Sequence, residues 1–293
     1  MYMTTNLTTT TVGQATATVL ARTQHPGNPT EIITWELLYP RYIHSEFMTH
    51  RMFSRNACSS RATPVKTLIE QVRTNPVYFD EVRQNQRGMT GGELVDAVTE
   101  RKFHDLWMQG AQVAASLAEQ MAELGVAKQT ANRILEPFLP IRVIVTATDT
   151  ENFFNLRLAP DAQPEIRNLA KAMQESKEKA PMGRSAIHVP YAEYFDDEPH
   201  LARTVIRCIA ACARVSVARG DGKETTYEDD VALVRRLRQS GHMTPFEHVA
   251  VAAYDWTDYA NFQNWMSIRR YIEMDCPVTE IPDLTDILEG HDD

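Results

Sequence analysis

Alternating hydrophobic and polar positions predict a β-hairpin near the start of the chain. Residues 15–21 alternate, a turn-rich segment at 24–29 interrupts the pattern, and residues 32–39 form a second β-like run. This arrangement is typical of two antiparallel strands joined by a loop. A β-branched run at 141–148 and a short apolar run at 249–253 predict two further strands.

Apolar residues at helical spacing account for most of the remaining chain. The longest such segment is residues 93–124, for which we predict one helix with its apolar side chains in the core. Those side chains are Leu94, Val98, Phe103, Leu106, Trp107, Ala114, Leu117, Met121 and Leu124. Shorter helices are predicted over residues 40–53, 64–73, 152–157, 162–177, 200–218, 226–240 and 259–274.

Strands and helices are mixed without regular βαβ alternation, and neither G-x-G-x-x-G nor a P-loop motif occurs. The predicted fold class is therefore α+β, with a mixed, mainly antiparallel sheet and flanking helices. Thr-rich residues 1–12 are expected to form a flexible N-terminus. Two halves follow, residues 13–180 and 181–276, and an acidic tail at 277–293 is expected to be mostly peripheral.

Composition narrows the class of protein. The chain of 293 residues is 43% hydrophobic and 24% charged, as in soluble globular proteins. The sequence contains no apolar run of membrane-spanning length and no signal peptide, so we expect a cytoplasmic protein without a membrane partner. A net charge of -9 argues against nucleic acid as a partner. Cys208 and Cys212 are interpreted as buried thiols, and no metal site is predicted.

One stretch, Thr49 to Arg61, is unusually rich in hydrogen-bond donors. It contains three arginines, one histidine, one asparagine and three serines, with no lysine and no carboxylate. We predict that it lies partly on a helix end and partly in the following loop, where backbone N–H groups are also available. This composition indicates an anion site.

Four sequence blocks resemble motifs of the flavin-dependent thymidylate synthases. Residues 50–61, H-R-x-x-S-x-N-x-x-S-x-R, resemble the signature R-H-R-x-x-S-x-N-E-x-S-x-R. Residues 241–248 resemble the block G-H-x-[ST]-P-F-E-H, and residues 213–216 the block A-R-V-S. Residues 152–157 and 162–166 resemble N-F-x-x-L-R and A-Q-x-E-I. The chain is thereby similar to this family over most of residues 31–270.

The order of these blocks resembles a circular permutation, because the blocks that come first in the family come last here. A strand–helix element also looks duplicated, with residues 33–51 echoed at 249–269. In the second copy, Ser267, Ile268 and Arg269 align with R-H-R, so this copy is interpreted as structural.

The resemblance implies reductive methylation of dUMP to dTMP. It implies FAD, NADPH and 5,10-methylenetetrahydrofolate as cofactors, and a homo-oligomer with active sites at subunit interfaces. In this family the protein supplies positioning and electrostatics rather than a covalent nucleophile. Cys58, although it adjoins the anion loop, is therefore not expected to attack the substrate.

The resemblance also implies roles for individual residues. Arg157 would hold the pyrimidine as the catalytic residue; judged from the sequence alone, an ion pair with Asp161 is the alternative. The substrate-binding residues would be Glu46, Ser59, Ser60, Arg61, Arg133 and Arg157. The FAD-binding residues would be His50, Arg51, Asn56, Asn152, Ser216, His242 and Thr244. His248 is more simply read as a structural histidine.

Several positions depart from the family pattern. Thr49 replaces the first arginine of R-H-R, Glu46 replaces a glutamine, Ala57 a glutamate and Ala62 a tyrosine. The arginine lost at Thr49 and the carboxylate gained at Glu46 remove positive charge near the nucleotide, which Arg55 could restore. They leave open a dUMP or dCMP hydroxymethylase, a non-catalytic nucleotide- or flavin-binding protein, and a choice between NADPH and NADH.

Overall fold

The computed structural model describes residues 7–192, 198–216, 225–254 and 260–290. One sheet has six strands in the order β1-β2-β3-β5-β4, with β6 paired in parallel to β2 and every other pair antiparallel. A second, antiparallel sheet has the order β7-β8-β9. The strands are β1 (Thr8–Val12), β2 (Ala15–Gln24), β3 (Glu31–Pro40), β4 (Ser54–Ala57), β5 (Pro140–Ala147), β6 (Gly183–Arg184), β7 (Ile187–His188), β8 (Ala250–Ala252) and β9 (Trp265–Ser267).

Helices flank the sheets, so the predicted α+β class with a mainly antiparallel sheet is confirmed. The α-helices are α1 (His44–Phe47), α2 (Val65–Thr74), α3 (Ala97–Glu123), α4 (Lys128–Ala131), α5 (Glu151–Arg157), α6 (Pro164–Lys179), α7 (Leu201–Ala213), α8 (Tyr227–Gln239), α9 (Ile268–Glu273) and α10 (Leu284–Glu289). Short 3-10 segments cover Arg41–Ile43, Ser60–Ala62, Asn132–Phe138, Arg214–Ser216 and Thr244–Glu247. Among the helices described, none combines the length and apolar character needed to cross a bilayer.

The large sheet is buried on both faces, and strand alternation explains how. On β5, Val143 and Val145 belong to the core cluster that includes Ile166 and Leu169 of α6. Ile144, between them, points to the opposite face, where it joins a cluster with the buried thiols of α7. The first half of the chain therefore supplies the sheet, and α7 of the second half covers one side of it.

The hairpin of β2 and β3 and the helix α2 confirm the sequence predictions, whereas the described residues near each chain end differ from what was expected; residues 1–6 and 291–293 lie outside the described part. Residues 8–12 form β1, paired with β2 from Thr8 opposite Val19, instead of a frayed terminus. In the tail, Val278, Ile281 and the apolar side of α10 are buried against α7 and α8 instead of lying at the periphery. The described residues near the start are held by the adjacent strand β2, and those of the tail by helices distant in sequence.

The helix predicted over 259–274 is wrong at Trp265. Trp265–Ser267 forms β9, and α9 begins only at Ile268; residues 255–259 lie outside the described part. Arg269 therefore begins a helix, while Arg51 follows α1. The proposed duplication stays a prediction, since the two arginines lie at opposite ends of their helices.

The long helix is confirmed as α3, but the prediction that its large apolar side chains are core is wrong. Leu106 is 66% exposed and Leu124 is 82% exposed, and Leu94, Val98 and Leu117 are exposed as well. The buried face consists of alanines that pack on α2 and on the segment Asn132–Phe138. Small side chains allow that close approach of the helices. The buried alanines are Ala111, Ala114, Ala115 and Ala118.

Candidate active site

The middle of the donor-rich stretch forms strand β4, which sets the distance between the two ends of the stretch. It pairs with β5 from Ser54 opposite Thr146 to Ala57 opposite Val143, where the sequence had predicted a loop. The helix predicted over 40–53 is shorter than expected, ending with α1 at Phe47. Four residues in extended conformation span about 13 Å. His50 and Arg51 therefore lie before the strand, and the predicted phosphate-binding residues lie beyond it.

Arg157 is held by two residues from the segment before β4. Its Nε donates to Nε2 of His50 at 2.8 Å, and its Nη1 pairs with the carboxylate of Glu46. The carboxylate that pairs with Arg157 is thus that of Glu46, where the sequence had offered Asp161 as the alternative. Three predicted site residues, with Arg157 more than a hundred positions from the other two, meet at this point.

His50 accepts that hydrogen bond as a neutral imidazole. The ring is 8% exposed and stands edge-on to Phe153, with ring centroids 4.8 Å apart. Burial, reinforced by the charges of Arg157 and Arg55, lowers the pKa of His50 to about 4. Because Nε2 accepts from Arg157, the ring proton resides on Nδ1.

Arg55 holds the turn before β4. Its Nη1 donates to the carbonyls of Met48 and His50, at 3.0 Å each. Burial lowers the pKa of this guanidinium. Arg55 therefore fixes the conformation that presents His50 to Arg157, a role different from the replacement anion ligand suggested by the sequence.

The predicted phosphate-binding residues meet around Glu136. Ser60 donates its Oγ–H to this carboxylate at 2.5 Å, and Arg133 Nη1 lies 2.8 Å from the same oxygen. Ser59 Oγ accepts from the backbone N–H of Arg61 at 3.3 Å and caps the 3-10 turn Ser60–Ala62. Ser59, Ser60, Arg61 and Arg133 are thus brought together as expected.

Two residues that sequence reasoning missed hold this loop. Glu136 follows Arg133 by three positions on a helical segment, a spacing that could have identified it as a partner. Asn132 is fully buried and donates to the carbonyls of Ser60 at 2.8 Å and Thr63 at 3.0 Å. No local pattern marks Asn132, because its function depends on contacts about seventy residues away.

Asn56 links the two halves of the chain beside β4. Its Nδ2 donates to the carbonyl of Cys212 at 2.6 Å, and its Oδ1 accepts from Thr244 Oγ1 at 3.4 Å. Cys212 directly precedes the A-R-V-S block and Thr244 belongs to the F-E-H block. Both blocks of the second half therefore lie beside the first.

The other residues predicted to bind flavin lie mostly at the surface. Arg51, Asn152 and His242 are exposed, and Ser216 ends the 3-10 segment Arg214–Ser216. His248 is fully buried with Nδ1 bonded to Thr146 Oγ1 at 2.9 Å, as a structural histidine would be.

Two further observations argue against Cys58 as a nucleophile and against the cavity over β2 as the active site. Burial raises the pKa of the Cys58 thiol, which disfavours the nucleophilic thiolate. A cavity of about 400 Å³ lies over β2, but its lining, which includes Leu20, Arg22 and Met182, contains none of the predicted site residues. The candidate site is therefore the surface around β4 and not this cavity.

Comparison with known proteins identifies the family. A family model described as thymidylate synthase complementing protein matches residues 15–182, more than half of the chain. Flavin-dependent thymidylate synthases from two strains of Thermus thermophilus are each 27% identical over 196 residues, 65% of this chain and 67% of the relative.

Solved structures of the UMP/dUMP methylase PolB from Streptomyces cacaoi are also similar. The complex with 5-Br UMP has 15% identity and a TM-score of 0.46, covering 57% of this chain and 90% of PolB. The complex with 5-Br dUMP has 20% identity and a TM-score of 0.43, covering 53% and 71%. Because the family model matches more than half of the chain, in a span that includes Glu46, His50, Arg133 and Arg157, the chain belongs to the thymidylate synthase complementing protein family.

Proposed function

We propose that the protein is a flavin-dependent thymidylate synthase that converts dUMP to dTMP with 5,10-methylenetetrahydrofolate, reduced FAD and NADPH. The observation that carries the proposal is the fixed position of Arg157, bonded through two different nitrogens to His50 and Glu46. Family membership and the named activity of the Thermus relatives support it. The predicted homo-oligomer and cytoplasmic location belong to the same proposal.

Arg157 would stabilise negative charge on the pyrimidine. Its guanidinium carries several N–H donors, and neither of its two contacts uses Nη2. A neutral His50 orients the guanidinium without adding a competing positive charge. The arginine is therefore positioned before the substrate arrives, which is how electrostatic catalysis keeps reorganisation small.

The far end of β4 would bind the phosphate of dUMP. Arg61, Arg133 and the hydroxyls of Ser59 and Ser60 supply charged and neutral donors suited to phosphate oxygens. Glu136 holds Ser60 and Arg133 in place but adds negative charge of its own. The phosphate would therefore take over bonds that this carboxylate now makes.

The residues that the resemblance assigns to flavin binding have side chains suited to an anionic dinucleotide such as FAD. Arg51, Asn152 and His242 present exposed donors, while the Asn56–Thr244 contact brings the second-half block next to β4. These side chains would bind and orient the flavin, with Ser216 and His50. When bound, reduced FAD supplies the hydride that completes the methyl group.

The test is to supply the purified protein with FAD, NADPH, dUMP and methylenetetrahydrofolate and to analyse the product by mass spectrometry. We expect a yellow protein and a product heavier than dUMP by one methylene unit, as in dTMP. A colourless protein that fails to take up FAD contradicts the proposal. A flavin-containing protein that turns over no deoxypyrimidine monophosphate supports the non-catalytic binding protein instead.

One contact favours an alternative, a flavin- and folate-dependent hydroxymethylase of dUMP or dCMP. Glu46 places a carboxylate directly on Arg157, at a position where the family has glutamine. This contact changes the charge next to the pyrimidine and could change how the one-carbon unit is completed. In that case the product retains an oxygen on the new C5 carbon.

A further inference from the structure

Three exposed apolar residues of α3, together with Leu124 directly after the helix, form one narrow stripe; Val98, also exposed, lies outside it. Leu106, Val113, Leu117 and Leu124 are 66%, 53%, 39% and 82% exposed. They are separated by seven, four and seven positions, so they lie within about 40° of one another around the helix axis. The opposite side of the helix is the alanine face that packs on α2. An apolar stripe of this length on a helix 27 residues long normally faces another protein surface.

The spacing is that of a coiled-coil seam. With Leu106 and Val113 at position d, Leu117 and Leu124 fall at position a of the same heptad frame. Lys102 and Glu123 then both occupy position g, directly beside the seam, and both are exposed. The heptad frame therefore assigns the apolar residues to the contact and these two charges to its edge.

The charges indicate an antiparallel partner. In a parallel pair, a g residue faces the e position of the partner, and here Lys102 would face Trp107. In an antiparallel pair, g faces g, and two copies of α3 centred near Ala111 bring Lys102 opposite Glu123 on both sides of a two-fold axis. The same register brings Leu106 opposite Leu117. The charged pair Lys102–Glu123 and the apolar pair Leu106–Leu117 are then complementary between identical helices.

We propose that this stripe is a self-association surface, on which α3 of a second copy of the chain packs in antiparallel orientation. This inference does not depend on the proposed reaction. It adds to the predicted homo-oligomer a specific surface, a register and an orientation.

The first test measures the mass of the full chain by light scattering after size-exclusion chromatography. Wild type should be an oligomer, and Leu106→Glu should reduce its mass by half, because a carboxylate would be buried opposite Leu117. Met89→Glu is the matched control, since Met89 is fully exposed and lies outside α3. Circular dichroism checks that each variant keeps its helix content. A monomeric wild type, or an unchanged mass for Leu106→Glu, overturns the proposal.

The second test examines the register by charge reversal. Lys102→Glu and Glu123→Lys should each weaken association about tenfold, because each creates two like-charge contacts across the axis. The double variant should restore association close to that of wild type. These residues are exposed, so the fold is not at risk. A double variant as weak as the single variants overturns the antiparallel register.

Discussion

Two arginines are predicted to bind opposite ends of the nucleotide, Arg157 the pyrimidine and Arg133 the phosphate. Their side chains differ in burial and in the residues that hold them. The side chain of Arg157 is 18% exposed and bonded to two residues distant in sequence. That of Arg133 is 55% exposed and paired with Glu136, three positions away. A half-buried arginine with fixed partners contributes through geometry, whereas an exposed one contributes a screened charge. Substitutions at the two ends should therefore affect different kinetic constants.

Replacing Arg157 should have the largest effect. For Arg157→Ala we expect kcat/KM for dUMP to fall by roughly 1000-fold or more, mostly in kcat, because a preorganised charge is lost in the transition state. Flavin binding, followed by absorbance, should persist. Arg157→Lys keeps the charge but not both bonds, and should restore little activity. A loss of less than tenfold in Arg157→Ala would mean that this arginine does not hold the pyrimidine.

Glu46 and Glu136, the carboxylates that contact Arg157 and Arg133, allow a matched comparison of the two ends of the site. Glu46→Ala should reduce kcat by about 10- to 100-fold, since Arg157 loses a positioning contact. Glu136→Ala should change KM for dUMP by only a few-fold, because it loses the positioning of Ser60 and Arg133 but also removes negative charge near the phosphate. Steady-state kinetics of both variants decide the matter. Equal effects on kcat would remove the distinction between the two ends.

Arg133→Ala should have a smaller effect that depends on salt. We expect KM for dUMP to rise about tenfold at low ionic strength, with kcat unchanged, and the difference to shrink as salt is added. Arg73→Ala is the control, because Arg73, with its side chain 34% exposed, is also paired with a glutamate, Glu119, but lies on α2 outside the loop. A salt-independent change in kcat would show that Arg133 acts on the chemical step.

The motif blocks pointed to side chains that the structure brings together beside β4, whereas the strand itself was not predicted. Arg157 and His50 were identified because each is a charged or polar residue at a characteristic position within a motif block. The strand β4 was missed because Ser-Arg-Asn-Ala lacks hydrophobic alternation and is extended only through pairing with β5. A short segment of this kind takes its conformation from a partner that local patterns do not reveal.

The face of α3 shows a second limit. Alanines and leucines both count as apolar, so periodicity alone located the helix but not the side that packs. The structure buries Ala111 and Ala115 and exposes Leu106 and Leu117, since only small side chains allow close contact with α2. Glu46 was identified as a departure from the family, but its pairing with Arg157 required the tertiary fold.

The smallest expected effect is the pH dependence of the free energy of unfolding, which tests the buried contact between His50 and Arg157. The pKa of His50 is about 4 in the folded protein, below its ordinary value of 6.5. Between these pH values the unfolded chain binds the proton more readily than the folded protein. The contribution of His50 to the free energy of unfolding is therefore fully present above pH 6.5 and is lost as the pH falls towards 4. His188 and His248, with pKa values lowered to about 3 by burial, act in the same direction.

The contribution of His50 can be separated by substitution. His50→Gln retains an oxygen that can accept from Arg157 but cannot titrate. We expect wild type to lose more unfolding free energy than His50→Gln between about pH 7.5 and 5.5, measured by urea denaturation. Most carboxylates remain ionised in that range, so they contribute little to the difference. His242→Gln, an exposed control, should follow wild type. If His50→Gln loses as much stability as wild type, His50 is not kept neutral by burial, and its bond to Arg157 cannot be what fixes the guanidinium at neutral pH.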